Sequence, residues 1–119
     1  VQQVWFAGCH GDVGGGNPPA EDGARLSDYP LEWIADEAAA HGLGLSDHLR
    51  KNLAASPTAP VNESYVGKWK LAGQYQRPLV RHIRIHSSVR EKFEADDNYR
   101  PKRLLRRIGR HRRWGELVP

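Results

Sequence analysis

Apolar residues occur in short runs near the start of the chain, separated by stretches that no regular element fits. Residues 2–7, within "VQQVWFAG", carry Val, Trp and Phe with little charge and predict a buried strand that ends at Gly8. "GCHGDVGGG" (8–16) holds five glycines and predicts a loop, because glycine weakens both helices and strands. "NPPAEDGAR" (17–25) is rich in turn residues and predicts irregular structure.

Helical spacing of apolar residues predicts two helices in the next part. The first covers about 28–41, with Ser27 or Asp28 as its cap, Pro30 in its first turn and Gly42 as its stop. Its expected buried stripe is Leu31, Ile34, Ala35 and Ala38. The second helix covers about 47–54, is capped by Ser46 and is broken by "ASPTAP" (55–60). Its apolar positions are Leu45, Leu49 and Leu53.

The second half of the chain is more mixed. "LVRHIRI" (79–85) alternates and predicts a strand with Leu79, Ile83 and Ile85 on one face. Ser87 or Ser88 opens a short helix over about 88–93. From Pro101 the chain is expected to be helical, with a narrow apolar edge formed by Leu104, Leu105 and Ile108. The order of elements predicts an α/β fold with an incomplete sheet: one strand–loop–helix unit, further helices and a later short strand.

Composition indicates one small globular domain, since 119 residues are 39% hydrophobic and 27% charged. No run approaches 18 apolar residues, so no membrane-spanning helix is expected, and no signal peptide is visible. The chain begins at Val1 within an apolar run, which suggests a strand cut from something longer. The sequence leaves the compartment open between a cytoplasmic protein and one delivered by a secretion system without a signal peptide. The single Cys excludes an intrachain disulfide.

The net charge of +4 hides an uneven distribution, because residues 100–119 contain eight Lys or Arg and one acid. Such a basic tail suggests an anionic partner, namely lipid through residues 101–113, or simply a solvated helix. A nucleic-acid partner is not expected, since no nucleic-acid motif accompanies the charge.

The glycine-rich loop holds the candidate chemistry, and four interpretations compete. His10 could act as the general base of a hydrolase, with Asp12 orienting it or fixing the turn. The two side chains could instead bind a metal, although Asp22, Asp28 and His41 show no recognised ligand spacing, and we expect no metal or cofactor. "GDVGGG" could cradle a phosphate, but it lacks the Lys-Ser/Thr of a P-loop. The fourth interpretation is a tight turn with an incidental histidine.

Other candidates favour structural roles. Cys9 points away from His10 if the two leave a strand together, so a packed cysteine is favoured over a nucleophile. His86, at the end of the predicted strand, is either a rival catalytic histidine or, as we favour, a residue bonded to Ser88 or to a backbone carbonyl. Three aromatic residues could line an acyl pocket but are more typical of packing. They are Tyr65, Trp69 and Tyr75.

"VWFAGCHGDVGGG", followed by "LSDYPLEWIADEAAAHGL", resembles the C-terminal part of an α/β-hydrolase family that includes lipase effectors of bacterial type VI secretion and uncharacterised bacterial and fungal domains. "IHSSV" (85–89) and "YRP" (99–101) resemble the pattern near the end of that domain, so the resemblance spans about 1–101. The matching residues of the first segment are Trp5, Phe6, Gly8, His10, Asp12, Val13, Gly14, Gly15, Gly16, Leu26, Ser27, Asp28 and Trp33.

The resemblance implies a Ser-His-Asp lipase or phospholipase-like esterase in which His10 is the triad histidine. Asp12 would support the loop, and Gly14, Gly15 and Gly16 would form its scaffold, with the triad acid elsewhere. It divides the chain into the C-terminal portion of a hydrolase domain (1–100) and a basic tail (101–119). None of the six serines lies in a Gly-x-Ser-x-Gly turn, so we expect these 119 residues to be inactive alone and to need an N-terminal portion of the same hydrolase. The alternative is a binding module that uses its basic tail.

Overall fold

The structure, a computed structural model, describes residues 2–64, 66–73 and 83–119. Its elements are two-residue or three-residue strands and mostly short helices. In chain order they are β1 (Val4–Trp5), α1 (His10–Gly14), α2 (Asp28–Ala40), α3 (Asp47–Lys51), a 3-10 helix (Gly67–Ala72), β2 (Arg84–His86), α4 (Ser87–Ala95), α5 (Lys102–Ile108) and β3 (Leu117–Val118). None of the helices in these ranges is long and apolar enough to cross a bilayer.

The three strands form one parallel sheet in the order β1-β2-β3. Val4 lies opposite Arg84, and Ile85 lies opposite Leu117. A parallel sheet with helices between its strands is an α/β arrangement, as the order of elements predicts. The buried strand expected over 2–7 is wrong in extent, because only Val4 and Trp5 pair and the side chains of both are only half-buried. Part of the strand expected over 79–85 falls outside the described residues.

Helix α2 confirms the predicted helix to within one residue at its C-terminal end. It stops where Gly42 adopts a φ of +92°, and the Leu43 amide donates to the Ala38 carbonyl 3.0 Å away. The predicted buried stripe is wrong at two positions, since Leu31 and Ile34 are 43% and 57% exposed. Helical periodicity identifies an apolar face but not whether anything covers it.

The predicted caps of the other helices have mixed outcomes. The Ser46 hydroxyl accepts a hydrogen bond from the His48 amide, as expected, although α3 ends at Lys51 rather than near residue 54. Ser27 occupies the N-cap position of α2, yet its side chain makes no capping bond. Helix α4 is capped by His86, not by Ser87 or Ser88: its Nδ1 accepts from the Ser88 amide. Imidazole can cap here because β2 runs directly into α4.

The largest core cluster lies between the sheet and the last two helices. Its buried members are Ala7, Ile85, Val89, Phe93, Leu104 and Ile108, with Tyr99, Trp114 and Leu117 packed against them. The Arg100 guanidinium closes the turn between α4 and α5 by donating to three carbonyls, those of Phe93, Asp96 and Tyr99. Leu104 and Ile108 form the expected apolar edge, whereas Leu105 is 40% exposed. Residues 101–119 therefore contribute two core residues and strand β3.

Candidate active site

The loop after β1 contains a helix, and the prediction that residues 8–16 form only a loop is wrong. Helix α1 spans His10–Gly14. Cys9 is its N-cap residue, and the Cys9 carbonyl accepts from the amides of Asp12 and Val13, both 3.1 Å away. The Asp12 carboxylate reaches back to the Cys9 amide at 2.9 Å. This reciprocal arrangement satisfies donors that the first turn of a helix otherwise leaves free, and it offsets the low helix propensity of glycine.

Asp12 is buried and accepts four hydrogen bonds. Its Oδ2 atom accepts from the Cys9 amide and from the Asn62 amide at 3.0 Å. Its Oδ1 atom accepts from Asn17 Nδ2 at 2.7 Å and from Asn62 Nδ2 at 2.6 Å. Burial raises the pKa of Asp12, but the bonds from Cys9, Asn62 and Asn17 outweigh burial and hold the pKa below its usual value. Asp12 is therefore a charged acceptor that joins α1 to two other segments.

Two glycines allow this close packing. Gly8 has a φ of +113°, and a Cβ atom there would lie 2.9 Å from Asp12 Oδ2. A Cβ atom on Gly11 would lie 2.7 Å from the Asn17 amide. The glycines predicted to form the scaffold are Gly14, Gly15 and Gly16. Gly15 and Gly16 have positive φ values, and a Cβ atom on any of the three would meet open space.

His10 is the first residue of α1 and is exposed at the carboxyl end of β1. Its side chain makes no hydrogen bond with any of the residues that the structure describes. It borders an open cavity of about 520 Å³, lined mainly by apolar atoms of Val4, Trp5, Phe6 and Val13. A second cavity of about 400 Å³ shares part of this lining and continues to the exposed side of α2 at Leu31 and Ile34. The imidazole is thus accessible to a substrate or to another protein segment.

The structure argues against two of the four interpretations of the loop. Both carboxylate oxygens of Asp12 already accept N–H donors, and within residues 2–64, 66–73 and 83–119 no three His, Cys, Asp or Glu side chains are grouped as metal ligands. Within "GDVGGG" (11–16), the amides of Asp12 and Val13 donate to the Cys9 carbonyl and are not available to a phosphate. A general base and an incidental histidine remain.

The comparison with known families bears on this choice. Residues 1–37 match the family model "T6SS, Phospholipase effector Tle1-like, catalytic domain". The Tle1-like segment contains β1, the whole of α1 and most of α2, and it confirms the resemblance drawn from "HGDVGGG" and "LSDY". The weaker resemblances at 85–89 and 99–101 lie beyond the match. No curated protein and no solved structure matches the chain.

The remaining candidates have structural contacts. Cys9, in the Tle1-like segment, is half-buried and accepts a weak bond from Asn17 Nδ2 at 3.6 Å. His86 is buried against the Phe6 ring, with centroids 4.6 Å apart, and its Nδ1 lies 2.8 Å from Ser88 Oγ, as the favoured interpretation expects. Burial lowers the pKa of His86, which keeps it neutral as a cap. Trp69 belongs to the 3-10 helix, whereas Tyr65 and Tyr75 fall outside the described residues.

The sequence did not predict the residues outside the Tle1-like segment that contact or support the loop after β1. Asn62 lies in the mixed stretch 61–78, where no periodicity singles it out. Lys92, on α4, is fully buried, and its Nζ donates to the carbonyls of Pro57 at 3.1 Å and Ala59 at 2.7 Å. A lysine inside "VREKFEA" has the pattern of a surface residue, so only the fold identifies its role.

Proposed function

We propose that this chain is the histidine-bearing portion of a serine-dependent, lipase or phospholipase-like ester hydrolase with the α/β-hydrolase fold. The observation that carries the proposal is the position of His10: an exposed imidazole at the carboxyl end of a parallel strand, within the segment that matches a phospholipase catalytic domain. Ligands and catalytic groups of open α/β sheets gather at that edge. The proposed substrate is a lipid or another carboxylic ester.

In the proposed mechanism His10 takes the proton from the serine hydroxyl as it attacks the ester carbonyl. The imidazolium then returns that proton to the leaving alcohol. Asp12 supports the loop and is not the triad acid, since four donors occupy its oxygens. The triad acid and the serine come from an N-terminal portion of the same hydrolase, because no serine of this sequence lies in a Gly-x-Ser-x-Gly turn. The 119 residues alone are then inactive.

Apolar residues beside His10 support this division of the catalytic site. Val13, Leu31 and Ile34 are exposed and line the two adjoining cavities. Exposed apolar surface of this kind is typical of a contact with another protein segment or with an apolar ligand. We propose that the N-terminal portion packs here and that the ester reaches His10 along the remaining cavity.

The test is the His10→Ala substitution in the full-length protein, assayed with p-nitrophenyl octanoate and with phosphatidylglycerol vesicles. We expect kcat to fall about 10³-fold or more, with an unchanged circular dichroism spectrum. His48→Ala is the matched control, because His48 is also an exposed helical histidine and its side chain has no bonding partner within the described ranges. Near wild-type turnover in His10→Ala would overturn the proposal.

A second candidate function follows from the surface of the C-terminal segment. Helix α5 buries Leu104 and Ile108 while the basic side chains around it face solvent. The exposed bases are Lys102, Arg106, Arg110, Arg112 and Arg113. We propose that this basic surface binds anionic phospholipid, since phosphate-rich membranes attract clustered cations, each contributing about 1 kcal/mol.

The membrane proposal is tested with charge reversals, because deleting 101–113 would remove core residues. Arg106→Glu/Arg110→Glu should weaken binding to phosphatidylglycerol vesicles by about 30-fold or more, as two contributions of about 1 kcal/mol predict. Lys51→Glu, at an exposed position of α3, is the control. Unchanged vesicle binding in the double variant, or binding to single-stranded RNA but not to vesicles, would refute the proposal.

A further inference from the structure

We infer that Asn62 is a positioning residue for His10, which it holds in place through the Asp12 carboxylate. The inference rests on the proposed function of His10 and adds a residue to that site. Asn62 lies 50 positions after Asp12 and donates to it twice, from its backbone amide to Oδ2 and from its side-chain amide to Oδ1. It therefore supplies two of the four hydrogen bonds that the carboxylate accepts.

His10 depends on such support because nothing in the described ranges holds its side chain directly. Its place is set by the backbone of α1, a helix of five residues. A helix of one turn is unstable by itself, since nucleation is unfavourable and too few bonds follow. The Asp12 carboxylate holds the first turn at the Cys9 amide, and Asn62 holds the carboxylate. A substitution at residue 62 is therefore expected to displace the His10 imidazole, although the two residues are not in direct contact.

Asn62 is itself well anchored, which is what a positioning role requires. It directly follows residues 57–61. The buried Lys92 ammonium of α4 holds this segment by donating to the carbonyls of Pro57 and Ala59. The carboxylate of Asp96 lies 3.5 Å from that ammonium and balances its charge. Ala59 is buried in a second apolar cluster with Ala24 and Leu26. Hydrogen bonds and the chain itself thus connect Lys92 in the core to residues 57–61, and connect Asn62 to Asp12 in the loop.

The chemistry of the contact separates positioning from simple packing. Asn62→Ala keeps the backbone bond and loses the side-chain bond. Asn62→Asp keeps the shape but places a second carboxylate where Asn62 Nδ2 now lies, 2.6 Å from Asp12 Oδ1. Like charges at this distance repel, so the aspartate variant is expected to disturb the loop more than alanine does. If Asn62 only filled space, the isosteric aspartate would be the milder change.

The first readout is kinetic, in the full-length protein with p-nitrophenyl octanoate. We expect Asn62→Ala to lower kcat by about 10-fold and Asn62→Asp by about 100-fold. The larger loss is the one that a displacement of the catalytic imidazole by about 1 Å can cause. KM should stay within about twofold, since Asn62 borders neither cavity beside His10. Asn52→Ala is the control: its side chain also donates one bond, to the His48 carbonyl, on α3. Should Asn62→Asp fail to fold, Asn62→Ser replaces it and should behave as alanine does.

The second readout does not need activity. Carbon-13 NMR of the Asp12 carboxyl should show its pKa raised in Asn62→Ala and raised further in Asn62→Asp. If the pKa moves in that order but kcat does not change, the positioning role is refuted while the contact stands. If His10→Ala retains activity, the proposed function fails instead. If neither the pKa nor kcat responds to residue 62, the inference fails outright.

Discussion

Replacing Asp12 with alanine removes the acceptor of four hydrogen bonds at a buried position. The Asn17 and Asn62 side-chain donors can rotate to other partners, but the amides of Cys9 and Asn62 cannot. A bond to a charged group contributes about 1.5–3 kcal/mol, so these two alone contribute about 3–6 kcal/mol. Relief from burying a carboxylate offsets part of this sum. We expect Asp12→Ala to lower the free energy of unfolding by about 3 kcal/mol.

Asp12→Asn is the matched variant for this prediction. Its single oxygen can still accept from the two backbone amides, and its amide can pair with a rotated Asn17 or Asn62 side chain. We expect a loss of only about 1 kcal/mol, which reflects the missing charge. Urea denaturation followed by tryptophan fluorescence measures both variants. Asp12→Ala within about 0.5 kcal/mol of wild type, or Asp12→Asn as damaging as alanine, would show that the four bonds do not stabilise the fold.

The pH dependence supplies a further check on Asp12. Its pKa is lower in the folded protein than in the unfolded chain, where it is about 3.9. The carboxylate therefore contributes its full stabilisation above about pH 4, and the contribution is lost as pH falls through the lower folded pKa. The difference in stability between wild type and Asp12→Ala should be constant from about pH 7 to pH 5 and should narrow only in stronger acid.

Two further predictions concern Gly8 and His86. Gly8→Ala should lower the free energy of unfolding by about 2–3 kcal/mol in urea denaturation, because residue 8 has a positive φ and the new Cβ atom would clash with Asp12. Gly16→Ala is the control: residue 16 has a similar φ, but its Cβ atom would meet open space, so the loss should be about 1 kcal/mol. Burial lowers the pKa of His86, although nearby acids oppose this effect. The neutral His86 therefore stabilises the fold fully above about pH 6.5, and this stabilisation is lost as pH falls through the pKa that His86 has in the folded protein. His86→Asn, which can still accept from Ser88, should lose less stability than wild type between pH 7 and about pH 5; equal losses would contradict the buried neutral cap.

Local signals predicted the elements that local interactions control. The spacing of apolar residues and the Gly42 stop define α2, and the Ser46 cap defines the start of α3. The alternation of apolar residues places Ile83 and Ile85 on one face, and both are buried, with Ile85 in β2 and Ile83 just before it. These features depend on neighbours within a few residues, which the sequence displays directly.

Features set by distant residues were not predictable in the same way. Helix α1 forms in a glycine-rich stretch, where the Asp12 carboxylate that caps it also accepts two hydrogen bonds from Asn62, a partner 50 positions away. Strand β3 has two residues, Leu117 and Val118, and is a strand only because β2 lies beside it. The position of His10 was visible as a motif, but its support by Asn62 was not, since no local pattern marks an asparagine in an irregular segment.

The parallel sheet joins strands that are separated by very different lengths of chain. Val4 pairs with Arg84, 80 residues away, whereas Ile85 pairs with Leu117 only 32 residues away. Closing the longer loop costs about 0.8 kcal/mol more in chain entropy. We therefore expect the unit made of β2, α4, α5 and β3 to form first and β1 to pair with the free edge of β2 afterwards. On this expectation the strand that presents the imidazole is the last of the three to be incorporated, so His10 reaches its final position only after β2 and β3 have paired.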